Sequence, residues 1–409
     1  MPLRSERAQL LQQIEEAAEH LCKFGSDSED VEEGMEMLVE AKLVLCSSRY
    51  LQRPSKYKQD VDVVSEEWFG AWLSETRFVL YCKMGRRSFE WVYSHIRDHP
   101  VFSSGLSPSC QRSVQFQVFV ALSRLAQSGS AGSQLKVAQD FKLSSGAVHL
   151  YTTRVLRALE PVGAKFIKWP NAARRRLLSA IGEEEFGFPG FILSVDGTLL
   201  CLHRAPAFKM RPETYCHPRH KKYGFNTLFF TDHMRYIVSY VFGWPGQAAD
   251  STIMGTTALA KAPQDYLCLG QEFVFADLGF RRENWCITPF KGAASLLKPN
   301  AMFNQAQRSG RCRIEHVNGQ IKSRFRSLTA MPIDIKCKAH VRYAHRWVRA
   351  CITLHNILVY LKDDWDFPAL PPEAEVEFTL DDVKNVSGKE MQVLVRDRWL
   401  RDVKGWVPA

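Results

Sequence analysis

The chain has 409 residues, 45% of them hydrophobic and 24% charged. That is enough apolar side chain for a sizeable core and enough length for two or three domains. No run of eighteen apolar residues occurs, and the opening Met1-Pro2-Leu3-Arg4-Ser5-Glu6 lacks an apolar stretch, so neither a membrane-spanning helix nor a secretory leader is expected. The net charge of +10 is uneven: residues 1–60 carry eight Lys/Arg against twelve Asp/Glu, whereas residues 308–349 carry eleven against two. A basic stretch this local argues for a polyanionic partner. The eleven cysteines form no CxxC pair and read as reduced thiols of a cytosolic or nuclear protein.

In chain order, residues 5–23 and 29–45 read as helices separated by the acidic Gly25-Ser26-Asp27-Ser28-Glu29-Asp30, and residues 50–64 as a linker. Trp68, Trp72, Phe78, Phe89, Trp91 and Tyr93 suggest packed helices up to His99. Helices are then expected over Val114–Ala126, Leu135–Phe141 and Gly146–Leu159, with Ser144 or Ser145 able to cap the last. A short helix, a tight turn and a second helix resemble a helix-turn-helix, in which Ser145, His149, Thr152 and Arg154 would face DNA. A plain helical bundle fits the same pattern.

A linking helix over 171–183 leads to Gly187-Phe188-Pro189-Gly190, after which the texture changes to strands: 191–203, 224–231, 236–244, 272–276 and 285–288, with a helix over 251–261. A long helix over 336–361 follows, with Ala344, Val348, Cys351, Leu354, Leu358 and Leu361 inward. The fold class expected is α/β: a mixed sheet flanked by helices, preceded by an all-α region. The domain boundaries expected are 1–65 (acidic helical segment and linker), 66–183 (helical), 184–362 (α/β) and 363–409 (a loose tail with a short terminal element).

Three acids stand in positions that call for a reason. Asp196 interrupts the apolar strand Ile192-Leu193-Ser194-Val195-Asp196-Gly197-Thr198, where a carboxylate is disfavoured. Asp277 follows Phe273-Val274-Phe275-Ala276 at the carboxyl end of a strand, before a glycine turn. Glu315 belongs to an amphipathic helix: Ile314, Val317, Ile321, Phe325 and Leu328 form one stripe, and Arg311, Glu315, Asn318 and Lys322 another. Each acid alone has a plain reading, as a turn residue, a cap or half of an Arg311–Glu315 ion pair. Jointly, two strand carboxylates and one helix carboxylate can hold two Mg²⁺ or Mn²⁺ ions about 3.5–4 Å apart. Gly319, which costs about 1 kcal/mol in a helix relative to Ala, suggests a close approach by a strand or by DNA.

These residues carry a resemblance. Val195-Asp196-Gly197-Thr198, Trp244-Pro245-Gly246 with Asp250-Ser251, Ala276-Asp277-Leu278-Gly279-Phe280, Phe303-Asn304 with Arg311, Ile314-Glu315 leading to Gly319-Gln320-Ile321-Lys322-Ser323-Arg324-Phe325, and Leu354-His355-Asn356 resemble, in order and spacing, a PIF/Harbinger-type transposase of the DDE superfamily. Ala249, Phe280 and Asn318 stand where that pattern usually has His, Tyr and Phe. The resemblance implies an RNase H-like core over about residues 190–360. It implies Asp196, Asp277 and Glu315 as catalytic residues and metal ligands with two Mg²⁺ or Mn²⁺ ions, and hydrolysis and strand transfer on double-stranded DNA at transposon ends and target. Arg311, Lys322, Arg324, Arg326, Lys221 and Lys222 would hold phosphates. A nuclear location, homo-oligomers on DNA and a separate Myb-like DNA-binding helper are further implications, with the acidic first 60 residues a docking segment for a basic partner. The rival expectation is a domesticated, catalytically silent DNA-binding or adaptor protein.

Asp250 fits a cap for the helix starting at Ser251 better than a fourth site acid. Cys201, His203, Cys216, His217 and His220 fit no standard zinc finger spacing, and His220, Lys221, Lys222 and Lys209 fit phosphate contact better. His355, on a mostly apolar helix, reads as a satisfied core histidine.

Overall fold

The computed structural model describes residues 6–23, 37–38, 41–42, 74–103, 111–363 and 387–404. Met1–Trp68 and Phe69–Ala409 are separate compact units. In the first, Glu6–Lys23 forms helix α1. The linker over 50–64, and most of the helix expected over 29–45, lie outside the described residues.

In the second unit, helices α2 (Glu75–Cys82), α3 (Arg86–Ile96), α4 (Val114–Ala126), α5 (Gln134–Asp140) and α6 (Ser145–Phe166) come first. Serines set the starts of all but α3: the Oγ atoms of Ser74, Ser113, Ser133 and Ser144 accept the N–H groups of Arg77, Phe116, Lys136 and Ala147. Helix α4 is buried on every side from Phe116 to Ala126, because α2 and α6 pack around it. Helix α7 (Ala172–Phe186) is capped by Asn171 and stopped by Gly187 at φ 72°.

The sheet has five strands: β1 (Phe191–Cys201), β2 (Gly224–Thr231), β3 (Ile237–Pro245), β4 (Phe273–Phe275) and β5 (Cys286–Ile287), in the order β3-β2-β1-β4-β5. β2 runs antiparallel to both its neighbours, and β4 runs parallel to β1 and β5. The period of two along 273–276 divides the core. Phe273 and Phe275 join a cluster with Phe191, Ile287 and Phe303, whereas Val274 and Ala276 join one with Ile253, Phe280 and Trp285. The helix expected over 251–261 is two pieces, α8 (Asp250–Gly255) and a turn at Ala258–Lys261.

Helix α9 (Lys298–Arg324) is longer than its apolar stripe suggested, and Ile314, Val317 and Ile321 are fully buried along it. Its close approach is at Gly310, where an added Cβ would lie 3.1 Å from the Phe191 ring. Gly319 has no neighbour within 4 Å of that position, so no strand approaches there. Helix α10 (Lys338–Tyr360) packs on α6 and β3. Helix α11 (Gly388–Lys404) is longer and better packed than the short terminal element expected in a loose tail: Met391, Val395, Trp399 and Leu400 are buried against Phe188 and the β4–β5 side of the sheet.

Where α10 meets the edge strand, a side chain completes the ladder. Asn356 Oδ1 accepts the N–H of Ile237 at 2.9 Å, and its Nδ2 donates to the Ile237 carbonyl at 2.9 Å and that of Phe166 at 3.2 Å. The neighbouring His355 donates from Nε2 to the Arg235 carbonyl at 3.0 Å, and burial holds its pKa down at about 4. It is the satisfied core histidine that its helix suggested.

Candidate active site

Register brings the first two acids together. β1 and β4 are parallel with Ser194 opposite Phe275, so two residues further on Asp277 leaves β4 alongside Asp196. The carboxyl ends of parallel strands are where open α/β sheets present ligand sites. Asp277 Oδ1 accepts the Gly279 N–H at 2.8 Å, which turns the chain away from the sheet. Glu315 reaches the same region from the exposed side of α9, whose apolar stripe is pinned to the sheet. The acids feel one another: burial chiefly, then the charges of Asp277, Asp250 and Glu315, raise the Asp196 pKa to about 6 against the opposing pull of Arg311.

Asp196 is held by the residues of α9 that flank Glu315. Arg311 Nη2 lies 3.5 Å from its Oδ1, and Asn318 Nδ2 donates to its Oδ2 at 2.9 Å. One turn beyond, Lys322 Nζ donates to Thr198 Oγ1 at 2.5 Å, and burial lowers the lysine pKa. Positions 311, 318 and 322 thus lie along β1 as the helical period requires. Arg311 pairs with Asp196, and the plain i, i+4 reading of an Arg311–Glu315 pair does not describe it. Arg311 and Asn318 are only 8% and 9% exposed, yet Arg311 Nε and Asn318 Oδ1 have no hydrogen-bond partner. Orphaned buried atoms cost about 1–3 kcal/mol each, and native folds keep few of them.

Asp250 overturns its expected role as a cap. It lies inside the first turn of α8 and makes no capping bond. Its Oδ1 accepts Asn226 Nδ2 at 2.7 Å, and its carboxylate covers Gly197: a Cβ there would stand 2.3–2.4 Å from three carboxylate atoms. Burial is the main cause of its raised pKa, with Asp277 adding to it. The dipeptide Asp196-Gly197 therefore reads as one acid followed by the gap that admits another. The glycine after the strand acid was the sequence signal for this approach.

The basic residues divide. Arg326, Lys221 and Lys222 are exposed, and Lys322 is half-buried. Arg324 departs from the expected phosphate contact: it is 1% exposed, 3.3 Å from Asp363, and donates to the carbonyls of Lys83 and Asp363. It fastens the end of α9. Helices α5 and α6 form the expected helix-turn-helix shape, but α6 packs on α10. Thr152 is fully buried, donating to the Val148 carbonyl and accepting from Arg124, so it cannot face DNA. Arg154 donates to Gln117, and Ser145 is half-buried. His149, though exposed, meets Gln134 and lies 5.6 Å from the Tyr343 ring.

Among the described residues, no group of three His, Cys, Asp or Glu side chains stands as placed in a metal-holding arrangement. The donor chemistry nonetheless fits a hard divalent cation: the candidate ligands are carboxylates, and the orphaned oxygen of Asn318 is buried on the side chain that bonds Asp196. Arg311 supplies the positive charge that Asp196 otherwise lacks.

Residues 195–356 match the DDE superfamily endonuclease family, a span that takes in Asp196, Asp250, Asp277, Glu315, Arg311 and Asn318. Comparisons with curated proteins and with solved structures gave no match.

Proposed function

We propose that the protein is a metal-dependent DNA endonuclease and transposase of the PIF/Harbinger type, with an RNase H-like core. The observation that carries this reading is the register that sets Asp277 beside the half-buried Asp196, with Asp250 against Gly197 and with Arg311 and Asn318, from the helix of Glu315, on the Asp196 carboxylate, inside the span similar to DDE endonucleases. The mixed sheet with an acid on its central strand supports the fold assignment.

Asp196, Asp277 and Glu315 would hold Mg²⁺ or Mn²⁺, two ions in all, which supply Lewis acidity and a more acidic bound water or 3′-hydroxyl. The chain's own contribution is positional. β1 and β4 fix two carboxylates in register, and α9 carries the third on a buried stripe. Asn318 keeps Asp196 from rotating. Lys322, Arg326, Lys221 and Lys222 hold phosphates on either side, without reading sequence. An oxygen of water, or later a DNA 3′-hydroxyl, bonds to phosphorus while the opposite P–O3′ bond breaks in line. DNA is the substrate, in the nucleus, with a homo-oligomer on the DNA and a Myb-like helper supplying sequence recognition. The burial of Thr152 favours dependence on such a helper.

One observation favours the rival reading of a silent DNA-binding adaptor: Arg311 already neutralises Asp196. Nicking of supercoiled plasmid separates the two. Asp277→Asn is expected to lower Mg²⁺- or Mn²⁺-dependent nicking by about three orders of magnitude or more while DNA binding stays intact. Undiminished nicking by the variant would sink the site assignment. A wild-type protein that binds DNA and never nicks it would make the adaptor the right description.

A further inference from the structure

The segment between β1 and β2 is fastened on both sides. The N–H groups of His203 and Ala207 donate to the carbonyls of Met331 and Ile335 at 3.0 and 2.9 Å. From the other side, Gln247 N–H donates to the Thr214 carbonyl at 3.0 Å. Tyr215 is buried at its base, and two bonds between His217 and residues 221 and 222 close its far turn. It is therefore an arm of fixed shape.

Two properties of this arm go together. It carries Arg204, Lys209, Arg211, Arg219, Lys221 and Lys222 against a single acid, Glu213. On a 3-10 turn among these cations stands Phe208, 92% exposed, the barest of the large hydrophobic side chains among the described residues. A lone surface phenylalanine is ordinary. One held on a pinned turn between cations has the chemistry that binds nucleic acid, where cations take phosphates and an aromatic face takes a base.

The arm also continues the basic track of the site. β1 runs from Thr198, which Lys322 holds, through Cys201 directly into the arm, and Gln247, which bonds Thr214 of the arm, stands three residues before Asp250.

We propose that the β1–β2 arm grips the DNA beside the scissile bond, with its lysines on phosphates and the Phe208 ring stacked on a base that it unstacks from its neighbour. The inference rests on DNA as the substrate and adds a contact outside the acid site.

The test is fluorescence anisotropy with the full chain in EDTA, so that cleavage plays no part. The probes are a labelled duplex of arbitrary sequence and the same duplex with a short central mismatch. Wild type is expected to prefer the mismatched duplex, whose bases unstack at lower cost. Phe208→Ala should abolish that preference and weaken binding about ten-fold with the salt dependence unchanged. Phe208→Trp should retain both. The double variant Lys221→Gln/Lys222→Gln should lower the slope of log affinity against log salt by about two, leaving the preference in place. Wild-type affinity and preference in Phe208→Ala would overturn the arm's role while leaving the nuclease reading untouched. Failure of the wild type to bind either duplex would overturn both.

Discussion

Two polar regions of the same sheet are built on opposite terms. Under α10, Asn356 and His355 are fully buried and their hydrogen-bonding groups meet backbone partners. Under α9, Arg311 and Asn318 are nearly as buried, yet each keeps an orphaned atom, and the charges of Asp277, Asp250 and Glu315 all bear on Asp196. The first arrangement holds an edge strand. The second leaves electrostatic strain that a bound cation would relieve. The difference suggests a general distinction: polar groups satisfied by the fold serve the fold, and buried ones left short point to a ligand.

The largest effect expected from testing that contrast is on the structural side. Asn356→Ala should cost about 3–4 kcal/mol, because it strands the N–H and carbonyl of Ile237, while leaving the acids in place. Urea unfolding checks it, and a loss below about 1 kcal/mol would mean that water replaces the amide.

Acidity should pull the two regions in opposite directions. Asp196 has a pKa raised to about 6, so its contribution to stability is present below the ordinary carboxylate range and lost as pH rises through 6. His233, donating to the Phe191 carbonyl, and His355 have pKa values lowered to about 4 by burial. Their contributions are present above the ordinary histidine value and lost as pH falls toward 4. In EDTA, Asp196→Asn should gain on wild type by on the order of 2–3 kcal/mol between pH 4 and 6 and stay level above. A His355→Gln variant should instead lose part of the wild type's decline in acid. Parallel stability–pH curves for wild type and either variant would erase the contrast.

The smallest effect sharpens the role of Asp250. Gly197→Ala should destabilise by roughly 1–3 kcal/mol, because the methyl group meets a carboxylate. Adding Asp250→Ala should restore most of that loss, and strictly additive effects in the double-mutant cycle would deny the contact.

Much of this molecule was legible before its folding was known. The change from helical to strand texture near Gly187, the alternation through Phe273-Val274-Phe275-Ala276 and the stripe Ile314, Val317, Ile321 each state a period, and a period fixes an element and its buried face. Asp196 and Asp277 could be placed on strands because a carboxylate there contradicts the surrounding pattern. The packing of helix α11, expected only as a short terminal element, was not legible, because its buried face meets Phe188 and Phe303, which lie far earlier in the sequence.

The sequence by itself determined which residues could do chemistry and on what kind of element each would sit, since periodicity and composition are local properties. Only the tertiary structure decided which of them meet. It set Arg311 and Asn318 on Asp196, turned Arg324 and Thr152 inward, moved Asp250 from helix cap to site wall, and left Phe208 bare on a pinned arm. Those outcomes depend on what packs across from each face, and residues far apart in the chain supply that.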